Sequence, residues 1–126
     1  MWGQHLILDL GDCDREAIKD PNRIRRFSSD LVDAIDMKAF GDPVLEHFAT
    51  HDPQASGYTL VQLIETSNIT AHFAEQSGDV YLDVFSCRAF PEEKAIAVCE
   101  KYFAPRHIKR TSLMRGTQRT PASNAA

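Results

Sequence analysis

The sequence has no apolar run approaching the ~20 residues that a membrane-spanning helix needs. Its first apolar stretch, His5 to Leu10, is too short for a secretory leader and is interrupted by Asp9, so no signal peptide is expected. Cysteine is scarce: Cys13, Cys87 and Cys99 are an odd number without metal-type spacing. That usage fits a reducing compartment, and a cytoplasmic location is expected. His5, His47, His51 and His107 form no His-x-x-x-His pair on a helix, so no metal site is expected. A strong basic charge is also missing. The formal net charge is −4, which argues against nucleic acid as a partner. The last stretch is locally basic through Arg106, Lys109, Arg110, Arg115 and Arg119. A solvated strand and tail explains those charges better than an anion site does.

What is present is ordinary for a folded domain. The 126 residues suggest one domain, and 43% are apolar and 25% charged. So small a domain buries a thin core, which dimerisation would supplement. His5 to Leu10 reads as a first strand. Asp20-Pro21 opens a helix, since Asp caps and Pro suits the first helical position. Ile24, Phe27, Leu31, Ala34 and Ile35 share one face of it, and it should end by Phe40-Gly41. Val44 to Phe48 reads as a strand and His51 to Gly57 as a loop. Tyr58 to Thr66 and Ile69 to Phe73 are strand-like. Val80 to Cys87 is the cleanest strand, with Val80, Leu82 and Val84 on one face and Tyr81, Asp83, Phe85 and Cys87 on the other. Pro91 opens a second helix with Ala95, Val98, Cys99 and Tyr102 along one side; Pro105 ends it, and His107 to Met114 forms a last strand. This order predicts an α+β fold, a two-layer sandwich with two helices on one face of an antiparallel sheet. Residues 1–116 form the domain and 117–126 a flexible tail. Apolar groups on both faces of Val80 to Cys87 point to a homodimer.

Periodicity alone stops at a small α+β domain. The segment Glu65-Thr66-Ser67-Asn68-Ile69-Thr70-Ala71-His72, followed by Asp83-Val84-Phe85-Ser86-Cys87, goes further. It resembles the core of the bacterial and archaeal S-adenosylmethionine decarboxylase family. That family carries a Glu-Ser-His-x-Ser/Thr-x-His segment and then an Asp-Val-Phe-Thr/Ser-Cys strand. Here Ser67 to His72 is five residues and His72 to Cys87 is fifteen, matching the family without a gap. Gln4-His5-Leu6-Ile7-Leu8-Asp9, Gly57-Tyr58-Thr59 and the overall length are also similar, and the likeness runs to about Gly116.

The resemblance implies a specific chemistry. A side chain cannot act alone as the electron sink for a departing carboxylate, whereas a carbonyl able to form a Schiff base can. The family makes that carbonyl, a pyruvoyl group, from its own backbone. By resemblance Ser67 Oγ attacks the carbonyl of Thr66, the peptide becomes an ester, and elimination splits the chain into 1–66 and 67–126. Loss of ammonia leaves the pyruvoyl group on the new terminus. His72 matches the base, its ordinary pKa lying near neutrality. Cys87 matches the proton donor that quenches the carbanion after decarboxylation. On a flat strand, positions five apart face opposite sides, so Ser67 and His72 meet only if the strand bends or starts after Ser67. The polar Thr66-Ser67-Asn68 step is a reasonable place for a bend.

Departures from the family pattern bear on substrate more than on cleavage. Thr66 replaces the family Glu before the serine, and Asn68 replaces the His after it. His-Thr-Trp-Pro-Glu becomes His72-Phe73-Ala74-Glu75-Gln76. Gln76 stands at the ribose-binding Glu in an ungapped alignment, and Glu75 would stand there if the loop shifts. Phe48 is the candidate adenine platform, and Thr59 stands where relatives place a site serine. Read singly, Ser67 would be a turn serine, His72 a polar strand residue and Cys87 a small buried hydrophobe. Cys99 and Cys13 read as structural, Glu65 as a polar strand residue, and Phe48 equally as core or platform. The implied activity is decarboxylation of S-adenosylmethionine, supplying the aminopropyl donor for spermidine. Two alternatives stay open: a pyruvoyl decarboxylase of ornithine or arginine, and an unprocessed homologue that binds a metabolite or another subunit.

Overall fold

The structure is a computed structural model and describes residues 2–48 and 50–117. Of the expected tail only Thr117 falls within these; 118–126 lie outside the described residues. The elements run β1 (Gly3–Gly11), α1 (Arg15–Ile18), α2 (Pro21–Ala34), β2 (Val44–Phe48), β3 (Gly57–Ile64), β4 (Ser67–Ala74), β5 (Asp79–Ser86), α3 (Glu92–Phe103) and β6 (His107–Arg115). The six strands form one antiparallel sheet in the order β2-β3-β4-β5-β1-β6. The expected two-layer α+β sandwich is what forms, with the one-turn α1 added to the two expected helices.

Helix α2 begins where the sequence places it. Asp20 accepts hydrogen bonds from the N–H groups of Asn22 and Arg23, and Pro21 occupies the first turn. It ends at Ala34, earlier than the apolar spacing suggested. Asp36 takes a left-handed φ of 58°, which turns the chain out of the helix. Residues 36–40 then run beside the β3–β4 turn instead of extending the helix. The Glu65 N–H donates to Lys38 O, the Phe40 N–H to Leu63 O, and Ala39 bridges Ile64. The short α1 was missed because one turn carries no periodicity; only its Asp14 cap announces it.

One face of the sheet carries the core. Leu6, Leu8 and Leu10 of β1, Ile69 and Phe73 of β4, and Val80, Leu82 and Val84 of β5 are buried with Ile24, Phe27 and Leu31 of α2 and Ala95, Cys99 and Phe103 of α3. Phe103 sits edge-on to both Phe27 and Phe73, with centroids 4.7 and 5.4 Å apart. The opposite face has no covering element among the described residues. It carries Val61, Leu63, Thr70, His72, Tyr81, Asp83 and Phe85; Leu63 is 49% and Tyr81 47% exposed. In its middle His5 Nε2 lies 3.0 Å from Asp83.

Gly57 opens β3 with φ at +153°, and a Cβ there would lie 1.7 Å from Phe73 O. Only glycine allows β3 to start this close to β4. Gly57→Ala should therefore destabilise the fold by about 2 kcal/mol or more in a urea titration. An unchanged midpoint would contradict this close approach.

Candidate active site

The proposed scissile bond sits in the tightest part of the sheet. Residues 65 and 66 form the two-residue turn between β3 and β4, where Ile64 pairs with Ser67. Ser67 is the first residue of β4, and across the other edge it pairs with Ser86, the last residue of β5. Cys87 follows directly, and its backbone N–H donates to Thr66 O at 3.1 Å. The carbonyl that cleavage would consume is thus already polarised by a backbone donor. Thr66, Ser67 and Cys87 are brought together along the backbone.

His72 is not brought to them. Pairing along β4 is continuous from Ser67↔Ser86 to Ala74↔Asp79, with no bulge. His72 therefore lies about 16 Å along the strand from Ser67 and on the opposite face. The anticipated bend is absent because both neighbouring strands hold β4 in register from Ser67 to His72. His72 instead belongs to a second cluster. Its Nε2 lies 3.1 Å from Ala55 O, so that nitrogen carries the proton and donates. Nδ1 then accepts from the Thr59 hydroxyl at 3.0 Å. Phe48, at the end of β2, pairs with Gly57 two positions before Thr59 and is 52% exposed.

The end of β4 departs from its expected geometry in one respect. Glu75 carries the carboxylate, and it is held by His47 Nε2 at 2.8 Å. His47 itself packs edge-on against Tyr58. Gln76 is exposed. The His47 contact could not be found from the sequence, since the residues are 28 apart and carry no motif.

Cys87 opens onto one of two adjoining grooves. One of about 240 Å³ is lined by Gly3, Gln4, Cys87 and Ala89 and shares Trp2 and Met114 with a second of about 480 Å³. In the second, Trp2 stacks on Phe85 with centroids 5.8 Å apart, and the Arg115 guanidinium lies 4.9 Å from the Phe85 ring centre. Trp2 was missed as a site residue because a lone aromatic before the first strand forms no pattern.

Against this geometry the comparisons with known proteins can be set. Residues 4–116 match the profile of the family described as S-adenosylmethionine decarboxylase. The chain belongs to the S-adenosylmethionine decarboxylase family. Two similar relatives bear the name S-adenosylmethionine decarboxylase proenzyme. One, from Methanococcus maripaludis, is 31% identical over 90% of this chain and 89% of its own. The other, from Parasynechococcus marenigrum, is 30% identical over 88% of this chain and 84% of its own. The fold is similar to the crystal structure of adenosylmethionine decarboxylase from Aquifex aeolicus, with a TM-score of 0.76 at 24% identity over 92% of both chains. The family is one of carboxy-lyases, and its members' proenzyme names fit a chain that matures by processing.

The three cysteines are chemically unequal. Burial first, then the nearby Asp79 and Asp12 carboxylates, push the Cys13 thiol up to about 12. Burial pushes Cys99 up to about 12 as well. Both therefore stay protonated and inert at pH 8, whereas Cys87 is exposed. Iodoacetamide at pH 8 should label Cys87 alone in the folded chain, and all three only in denaturant. Peptide mass mapping checks this; rapid native labelling of Cys13 or Cys99 would contradict the burial.

Proposed function

We propose that this chain is a pyruvoyl-dependent S-adenosylmethionine decarboxylase that cuts itself between Thr66 and Ser67, yielding 1–66 and 67–126. The observation that carries this is the Cys87 N–H on Thr66 O at the turn where Ser67 begins β4, in a chain of this family. Ser67 Oγ attacks the Thr66 carbonyl carbon, and negative charge growing on that oxygen falls on the Cys87 N–H. The C–N bond breaks, the Thr66 acyl group moves to Ser67 Oγ, and the amine of Ser67 is freed. Removal of the Ser67 α-proton then expels the Thr66 carboxylate. Addition of water and loss of ammonia complete the group on the new terminus. The exposed turn and the donor already on the carbonyl fit formation of a pyruvoyl group at this place.

Once formed, that group supplies an electrophilic carbonyl able to take up the electrons of a departing carboxylate. The chain's own side chains do the rest. The Cys87 thiol, open to solvent on the residue whose N–H holds the Thr66 carbonyl, delivers the proton that replaces carbon dioxide. Trp2, Phe85 and Phe48 offer aromatic faces for an adenine and a sulfonium cation. Glu75 or Gln76 binds the ribose hydroxyls, and Thr59 orients His72. The product would be the aminopropyl donor for spermidine. A cytoplasmic location keeps the Cys87 thiol reduced.

His72 acts as the base only if a second copy brings it to Ser67, because the two lie about 16 Å apart along β4. The uncovered sheet face, with Leu63, Tyr81 and Phe85, supports a homodimer joined there.

Two experiments test this reading. Intact mass of purified protein should show two polypeptides, the larger beginning at residue 1 and the smaller blocked to N-terminal sequencing. Ser67→Ala should stay whole. The processed protein should release carbon dioxide from S-adenosylmethionine and not from ornithine or arginine. The reverse preference would leave the cleavage standing and overturn the substrate. A single uncut chain would favour the unprocessed metabolite binder.

The second experiment mixes variants. Ser67→Ala and His72→Ala should each remain uncut alone. Co-expressed, they pair an intact Ser67 with an intact His72 at one of the dimer's two sites, so the His72→Ala chain should be cut. Mixed dimers that stay uncut, or a monomer by light scattering at micromolar concentration, would rule out the shared site.

A further inference from the structure

The proposed scissile turn is braced by a chain of hydroxyls that no part of the cleavage chemistry so far uses. Ser86 is fully buried at the end of β5. Its Oγ accepts the Arg88 N–H at 3.0 Å and donates to Thr66 Oγ1 at 2.7 Å. Thr66 in turn donates to the thioether of Met37 at 3.2 Å. Each hydroxyl therefore has one partner for its proton and one donor for its lone pair. Met37 lies in the 36–40 segment, released from helix α2 by the left-handed Asp36. The same segment holds the turn through the Glu65 N–H on Lys38 O.

Resting on the self-cleavage reading above, we infer that the Ser86–Thr66–Met37 chain positions the scissile carbonyl for attack and sets the rate of processing. A β-branched side chain has few χ1 choices, so tying its hydroxyl at both ends selects one. The Thr66 side chain and its carbonyl share one α-carbon. Fixing the first in the turn keeps the second aimed at the Cys87 N–H. The energetics also favour an intact chain. If the Thr66 hydroxyl is lost, the buried Ser86 hydroxyl is left with the Met37 sulfur at 3.8 Å, a weak acceptor. Where the family pattern has Glu, an ionised carboxylate could accept from Ser86 but could not donate to a thioether. The arrangement therefore belongs to Thr66. Thr66, Ser86 and Met37 are positioning residues here, acting through the carbonyl and not on it.

The test follows cleavage of full-length chain made by cell-free translation, by gel electrophoresis and intact mass. Thr66→Val keeps the shape and removes the hydroxyl, and it should cleave about tenfold more slowly, the scale of the Ser86 hydrogen bond, the stronger of the two it loses. Thr66→Ser should recover the rate to within about twofold, since it restores both bonds. Ser86→Ala should be slow like Thr66→Val, and the double variant no slower than either, as expected of groups acting as a unit. The pH profile of the rate should keep its midpoint, because no titrating group has changed. Met37→Leu, a swap of similar volume, should slow cleavage by about threefold and guards against misfolding of the other variants. Thr66→Val cutting at the unmodified rate, or Thr66→Ser as slow as Thr66→Val, would overturn the inference while leaving self-cleavage intact. An unmodified chain that never cuts would remove both.

Discussion

Strand β4 is hydrogen-bonded on both sides from Ser67 to His72, to β3 on one edge and β5 on the other, and β5 holds it on to Ala74. That double pairing leaves it no freedom to bulge, so the period of two holds from Ser67 to Ala74. Everything at the candidate site follows from it. Ser67 is set against Ser86, which places Cys87 on the Thr66 carbonyl. His72 is set against Thr59, on the other face and toward the other end. A site that uses Ser67 and His72 together cannot close inside one chain.

Among the described residues the sheet is covered on one side only. Helices α2 and α3 bury Leu, Ile, Val and Phe on one face, and the core ends there. The turn that carries Thr66 gains its rigidity from a different source. The 36–40 segment leaves α2 at Asp36 and lays two backbone hydrogen bonds and the Met37 side chain on the β3–β4 turn. A helix of the length expected from its apolar stripe would have carried those residues away from the turn. The early end of α2 is thus part of how the proposed scissile bond is held.

Burial separates residues of one chemical type. Cys13 and Cys99 are in the core, where loss of solvation keeps their thiols protonated, while Cys87 ends β5 in the open. Two basic residues in and just before β6 pair with carboxylates. Arg106 lies 3.4 Å from Asp12, and Arg110 reaches Glu92 and Glu93 at 3.5 and 2.7 Å. Among the described residues these charges meet carboxylates of their own chain, which agrees with a solvated strand better than with an anion site.

The sequence by itself determined the strands, the starts of α2 and α3 and the Ser67, His72 and Cys87 spacing. Those are local properties: alternation along Val80 to Ser86, the Asp20-Pro21 cap, and residue types at fixed offsets. They also sufficed to identify the family. What only the tertiary structure decided is which of these residues face one another. Glu75 meets His47, Thr66 meets Ser86 and Met37, and Trp2 meets Phe85, all through contacts between residues far apart in the chain. The expected bend at Ser67 failed for the same reason. Whether a polar step in a strand bends depends on the hydrogen bonds its two neighbours offer, and those are a property of the assembled sheet.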